Sequence, residues 1–566
     1  MRVATLLVFL LAAPAALAQE TGDCSPGTAH VVLDGSDVRA SVYNTGRLFY
    51  DARTQPDDPP HFEVPKGGGV DAMFSSSLWV GGLAEGDPSS LRMAATTYGG
   101  ADYWPGPLAS SGGIPSAEDC AAADRIWHVT LEDVARYNDT GAATADLADW
   151  PVHLGAPVVD GDGIETNYDL AAGDRPAILG DETAWWVLND RGNVHEWSGL
   201  APAGLEVRVT AFTVSEPYAR ERLALGRFAG DVQRMVFVRH ALTYRSEVPL
   251  ADTYVGFHVD PDIGVFSDDH VGTVPEQDLV IAYNGTDIDT LYGASPPASA
   301  LRILNGPSER ALSGSLVPVS GSSLLGYLCA ERGGRGYSAY RELQSLHCDG
   351  VPQTYGGDGY NPGATTFSTY VYPGLPPSYW SQRNTNGAGR TDRPADVRIL
   401  ASHGPFDMMP GETYTVDTAY LWARAEQGAL ASVNRLVLEA APAAQTVPFT
   451  PDPDLATLRL GDLPGVVTTP ADPVPGPGRN ALASTAWPSP AIGVARLSLD
   501  LATEADVRLE VFDALGRRVA VPLDGVLGAG LYRPEVDVAG WPAGLYVYRL
   551  TLGGRPAGTG RLVVAR

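Results

Sequence analysis

Four aspartates fall within ten residues, at Asp260, Asp262, Asp268 and Asp269. Carboxylates packed this closely repel one another unless water or a cation comes between them. Calcium takes six to eight oxygens at about 2.3–2.6 Å, so these four are the metal ligands to expect and calcium is the cofactor they could hold. The same residues also suit a turn, because aspartates readily accept hydrogen bonds from nearby backbone amides. The two readings carry equal weight. A second acidic stretch, Val159-Asp160-Gly161-Asp162-Gly163, echoes the start of an EF-hand loop. Its fifth position is Ile164, and Asp169 and Asp174 fall at the wrong intervals. A plain turn is therefore the better reading there.

Other chemistry is sparse. The sequence contains no HExxH, no G-x-S-x-G, no P-loop and no GxGxxG after a strand. His153, His195, His240, His258, His270 and His403 lack ligand spacing. Tyr103, Trp104, Trp185, Trp186, Trp197, Tyr379 and Trp380 could stack on sugar rings, since such side chains join a flat apolar face to a polar tip. A core role competes with this, and adjacent Trp185 and Trp186 on one strand must point to opposite faces.

The acidic cluster needs a scaffold, and the surrounding pattern is β. Residues 253–259 alternate with period two, as do 205–212, 234–244 and 413–422. Ser75 to Gly82 makes a further short strand ending in glycines. One helix is expected from Glu426 to Ala440, with Leu430, Val433, Leu436 and Val437 on one face. Many short strands between turns predict a mostly β fold, with one or two sandwich domains in the body. Gly (64) and Pro (45) are abundant enough to favour turns over long helices.

The net charge of −28 disfavours nucleic acid and anionic membrane surfaces as partners. Residues 1–18 combine Arg2, an apolar run and Ala16-Leu17-Ala18, the pattern of a signal peptide. No other stretch is long and apolar enough to predict a transmembrane segment in the mature chain. Export places Cys24, Cys120, Cys329 and Cys348 in an oxidising setting, where an even count predicts two disulfides. Three pairings are open, and proximity in sequence favours Cys24 with Cys120 and Cys329 with Cys348. The body then runs over 19–445, possessing room for two subdomains. A Pro- and Gly-rich linker spans 446–480, and a small domain spans 481–566.

That small domain has the size and strand rhythm of an immunoglobulin-like sandwich. It carries Val507-Arg508-Leu509-Glu510-Val511-Phe512-Asp513-Ala514-Leu515-Gly516-Arg517, then Ala529-Gly530-Leu531-Tyr532, then Ala543-Gly544-Leu545-Tyr546-Val547-Tyr548-Arg549-Leu550. Trp487-Pro488-Ser489-Pro490 precedes them. In these motifs the domain resembles the type A C-terminal sorting domain of the type IX secretion system, found in Bacteroidetes and their relatives. Phe512 stands for the usual Tyr, and Ser489 for the usual Asn. The resemblance implies that Asp513, Gly516, Arg517, Gly530, Gly544, Tyr546 and Arg549 form the sorting motif. It also implies an outer-membrane translocon and its sorting machinery as partners, with passage through the periplasm to the cell surface or medium.

Stretches such as Phe62-Glu63-Val64-Pro65-Lys66-Gly67-Gly68-Gly69, Tyr103-Trp104-Pro105-Gly106-Pro107 and Tyr355-Gly356-Gly357-Asp358-Gly359-Tyr360 resemble large surface proteins of unknown function from the same bacteria. That resemblance implies a location and no reaction. The body is expected to serve structure, adhesion or ligand binding, with surface glycans as candidate partners, rather than catalysis. The competing reading is a polysaccharide-acting hydrolase or carbohydrate-binding protein. Facing carboxylates in an aromatic-walled cleft would mark the hydrolase.

Overall fold

The computed structural model describes residues 22–53, 59–164, 166–310, 316–318, 321–325, 335–452 and 454–464 of the body. In the last hundred residues it describes 481–482, 491, 493–497, 499–501, 505–513, 516–528, 530–532 and 534–565. The chain divides into two compact units, Met1–Val466 and Val467–Arg566. Residues 1–18, Cys329, Trp487-Pro488-Ser489-Pro490 and the linker portion 465–480 lie outside the described residues.

The mostly β expectation is borne out. Two nine-stranded antiparallel sheets build the body. At the centre of the first, Leu250–Asp260 pairs with Ser75–Ala84 on one side and Ile399–Met408 on the other. The second runs through Ala298–Asn305, Thr413–Ala423, Met235–Tyr244, Leu205–Thr213 and Glu182–Asn189. The strands expected at 205–212, 234–244, 253–259 and 413–422 all appear, each within a few residues of those ends.

Alternation explains how the sheets stack. Val255, Phe257 and Val259 of the first sheet share one core with Val236, Val238, Val416 and Tyr420 of the second. The opposite face of the second sheet sends Phe237, Ala419 and Leu421 into another core, under the helical segments Ala429–Arg435, Leu436–Ala440 and Ala441–Ala444. A sheet covered on both faces tolerates apolar residues at every position. Trp185 and Trp186 therefore both bury fully, one in each core.

The expected helix begins three residues late, after Gly428, and runs on past Ala440. Two further helices, Leu131–Thr140 and Arg335–Leu343, escape the apolar-periodicity test because each is short and mostly polar. Thr130 caps the first of them in a reciprocal capping box with Asp133. The second lies on the outer face of the first sheet, where a Cβ on Gly256 would sit 2.5 Å from Leu343. Glycine at that position permits the close approach.

Residues after 445 continue to pack on the body: Val447, Leu455 and Leu458 belong to the second core. Asn138 donates to the Leu455 and Leu458 carbonyls, both at 2.8 Å. Cys24 and Cys120 form a disulfide with a Cα–Cα separation of 5.7 Å. Cys348 is disulfide-bonded as well.

In the C-terminal unit Ala505–Phe512 lies between Arg518–Leu527 and Gly544–Leu552, with Arg555–Val564 beyond. Val507, Leu509, Val511, Tyr546, Tyr548 and Leu550 point into one core, which Ala495, Leu497, Val536 and Val538 close from shorter strands.

Candidate functional site

The expected aspartate cluster divides. Asp260 ends the central strand and is 1% exposed. Tyr98 donates to its Oδ2 at 2.8 Å, and Arg398 Nη1 lies 2.7 Å from its Oδ1. Asp262 stands beside it and Asp396 completes the group. One carboxylate oxygen from each of these three lies within 4.8 Å of the others. Arg398 also pairs with Asp396, and its Nε donates to the Tyr98 hydroxyl at 2.5 Å.

Asp269 and Asp268 have other work. Asp269 is fully buried, accepts from the Ile263 amide at 2.9 Å, and exchanges backbone hydrogen bonds with Ala395. It thereby ties the loop after Asp260 to the segment that carries Asp396 and Arg398. Asp268 uses its backbone carbonyl to accept from Gly285 at 2.6 Å, and its side chain faces Asn284.

Electrostatics follow from burial. Burial pushes the Asp260 carboxyl well above the usual range, and the nearby Asp262 charge adds to the push. Asp262 rises to about 6, chiefly through burial, against the opposing influence of Arg398. Burial opposes the charge on Arg398, yet Asp260, Tyr98 and Asp396 together hold its pKa above the ordinary value. One guanidinium faces three carboxyls, so the group is short of positive charge. A shared proton or a cation would supply it. Three oxygen donors suit calcium, although they are only part of the six to eight it requires, and Arg398 already spans Asp260 and Asp396.

Half-buried rings flank the carboxylates. Tyr50 and Phe74 have ring centroids 4.2 Å apart, His61 lies 4.8 Å from Phe74, and Tyr98 lies 5.8 Å from it. His61 Nδ1 is 3.2 Å from Asp71. By contrast, Tyr103, Trp104, Trp185, Trp186, Trp197 and Trp380 are at most 3% exposed. Of the aromatics nominated for stacking, Tyr379 alone is open, at 43%.

Tyr98, Asp396 and Arg398 were not legible in sequence, because each comes from a segment far from Asp260. The one signal available was the i, i+2 spacing of Asp396 and Arg398 on an extended segment.

Asp160, Asp162 and Asp174 also gather, bringing in an aspartate at the wrong interval for an EF-hand. Most of their oxygens are taken by the loop itself. Asp174 accepts from the Gly161 and Asp169 amides, and Asp160 from the Asp162 and Gly163 amides. Among the scattered histidines, His195 lies between the Met93 and Asp190 carbonyls at 2.7 Å each and His258 is fully buried against Trp79, whereas His153 is exposed.

The residues expected to form a sorting motif mostly shape their own domain. Asp513 accepts from the Arg517 amide at 2.9 Å and its Nε at 2.7 Å, across a turn in which Gly516 has φ +76°. That left-handed conformation suits glycine. Arg549 pairs with Glu510 at 2.9 Å and lies over the Phe512 ring. Arg508 and Arg518 join it, and the three hold the Glu510 carboxyl down to about 2, Arg549 foremost. Tyr546 donates to the Pro542 carbonyl at 2.8 Å. Gly530 and Gly544 each open a strand.

No family model and no curated protein matches this chain. Among solved structures it has a slight likeness to a polysaccharide lyase, at 11% identity and a TM-score of 0.16, covering 63% of this chain and 34% of the lyase. A second likeness is to dimeric latent PorU from Porphyromonas gingivalis, at 10% identity and a TM-score of 0.14, covering 68% of this chain and 31% of PorU. The chain therefore spans about a third of either protein, and scores this low establish no shared fold. No helix among the described residues is long and apolar enough to cross a membrane.

Proposed function

We propose that this chain is an exported surface protein whose body binds a saccharide at the acidic junction around Asp260. The observation that carries this reading is the seating of Asp262 and Asp396 beside the half-buried rings of Tyr50, His61, Phe74 and Tyr98. Carboxylates accept hydrogen bonds from sugar hydroxyls, and ring faces cover the apolar side of a pyranose. Calcium, if bound, would be held by Asp260, Asp262 and Asp396 and would neutralise their charge. A glycan array on the intact protein, repeated with Asp262→Asn and Tyr98→Phe, tests the reading. Glycan binding that both substitutions leave unchanged would sink it.

A polysaccharide hydrolase is the second reading. It is favoured by Asp262, whose carboxyl at about 6 is suited to hold a proton for a leaving group. A hydrolysis screen separates the two, since a binding protein releases no reducing ends.

For export, the proposal is type IX sorting through residues 481–566. Support comes from the sequence motifs and from the Asp513–Arg517 turn that they form. Deleting 481–566 should leave the body in the periplasm, and surface display of the truncated chain would refute the sorting role.

A further inference from the structure

A recess of about 820 Å³ in the body lies among Arg234, Arg424, Arg435, Trp422, Asp37 and Glu426. None of these belongs to the acidic junction. Three guanidiniums converging on one cavity are notable in a chain of net charge −28.

Their partners are unevenly distributed. Arg234 pairs with Asp231 at 3.0 Å, and Arg435 lies 3.4 Å from Glu439 and 3.9 Å from the same Asp231. Arg424 has no carboxylate in ion-pair range among the described residues. Instead, its Nε donates to the Ser295 carbonyl at 2.7 Å, and its Nη2 to the Tyr292 and Ala294 carbonyls at 2.9 and 3.0 Å. Those carbonyls fix the guanidinium plane and leave Nη1 uncommitted. Arg435 Nη1 donates to the Arg424 carbonyl at 2.8 Å, which sets the two arginines side by side. Burial lowers the pKa of Arg234 and the neighbouring Arg435 charge lowers it further, while Asp231 and Asp37 act in the opposite direction.

Trp422 adds an independent observation. It is 5% exposed, lies under Arg234, and its buried Nε1–H has no acceptor among the described residues. A buried donor without an acceptor is costly, and preset guanidinium forks match carboxylate and sulfate oxygens. The volume is in the range of small-molecule sites.

We infer that this recess binds a small organic oxyanion, a carboxylate or a sulfate, through Arg424, Arg435 and Arg234. The site goes beyond the saccharide reading and does not depend on it.

Calorimetry on the full chain with sodium glucuronate, sodium sulfate and neutral glucose tests it. Glucuronate or sulfate should bind at one site, and glucose should not compete for it. Sulfate displacing glucuronate would identify a general oxyanion site, and glucuronate binding alone a carboxylate site. Arg435→Gln and Arg424→Gln should each weaken binding about tenfold or more. If Arg424→Gln fails to fold, Arg435→Gln and Arg234→Gln carry the test. Absence of binding by both anions, or binding unchanged in the folded arginine variants, would overturn the inference.

Discussion

Arg398 Nη1 lies 2.7 Å from Asp260 Oδ1 and also contacts Asp396, so one side chain links a fully buried carboxylate to an exposed one. Asp260 comes from the end of the central strand, and Arg398 sits immediately before its neighbour. Strand pairing alone brings them together. Removing Arg398 leaves the buried Asp260 carboxyl without its cation, so it must take up a proton or stand uncompensated. Arg398→Met should therefore cost up to about 3–5 kcal/mol in urea unfolding, and Asp260→Asn added to it should restore part of the loss. A full loss in the double variant would show that packing, not charge, is at stake.

Asp262 predicts a pH dependence. Its folded pKa of about 6 exceeds the unfolded value of 3.8, so the folded state holds the proton more tightly between those limits. Its contribution is most favourable below pH 4 and is lost as pH rises through 6, on the order of 1–3 kcal/mol. Asp181, raised by burial to about 6, adds a slope of the same sign. Melts from pH 4 to 8 should show the decline, and Asp262→Asn should flatten part of it. Calcium should raise the melting temperature chiefly above pH 6, where the carboxylates are ionised. A midpoint insensitive to both calcium and chelator at pH 7.5 would exclude a cation at this site.

His195 titrates in the opposite sense. Burial resists its charge, but Asp102 and Asp190 outweigh burial and raise its pKa to about 9. Its stabilisation is fully present below pH 6.5 and is lost as pH climbs through 9. NMR titration of the ring should find it protonated at pH 7.5, and His195→Gln should remove the alkaline part of the stability profile.

The Cys24–Cys120 bridge spans 96 residues. Loop-closure entropy assigns a bridge of that span about 4–5 kcal/mol, and engineered cases often deliver less. Paired Cys24→Ser and Cys120→Ser substitutions should lower stability by about 2–5 kcal/mol and make the protein insensitive to mild reductant at this bridge.

In the C-terminal unit, Arg517→Ala removes the side-chain half of the Asp513 turn while leaving the backbone half. An exposed pair of this kind contributes at most about 1 kcal/mol. Stability should hardly change, whereas surface display should fall if the turn is read by a sorting receptor. Undiminished display would assign Arg517 to local structure alone.

Much of the architecture was legible from period-two alternation, because the long central strands of the body keep at least one face in a core. Val255, Phe257 and Val259 show this directly. The helix from Ala429 showed its apolar stripe, while Leu131–Thr140 hid behind polar residues that its capping box and one buried edge suffice to hold. Trp185 and Trp186 followed the core reading over the stacking one, and a sheet covered on both sides buries both.

The sequence by itself determined the strands, the acidic loop at residues 260–269 and the motif turn at Asp513. All of these rest on local spacing or composition. Which carboxylates meet was decided only by tertiary structure. Asp260 and Asp262 stay together, Asp269 turns to the Ile263 amide and Asp268 to Asn284, and Asp396, Arg398 and Tyr98 arrive from elsewhere. The physical reason is that a charge site is set by distances of a few ångströms. Antiparallel pairing between residues more than a hundred positions apart fixes those distances, and a local sequence pattern does not record them.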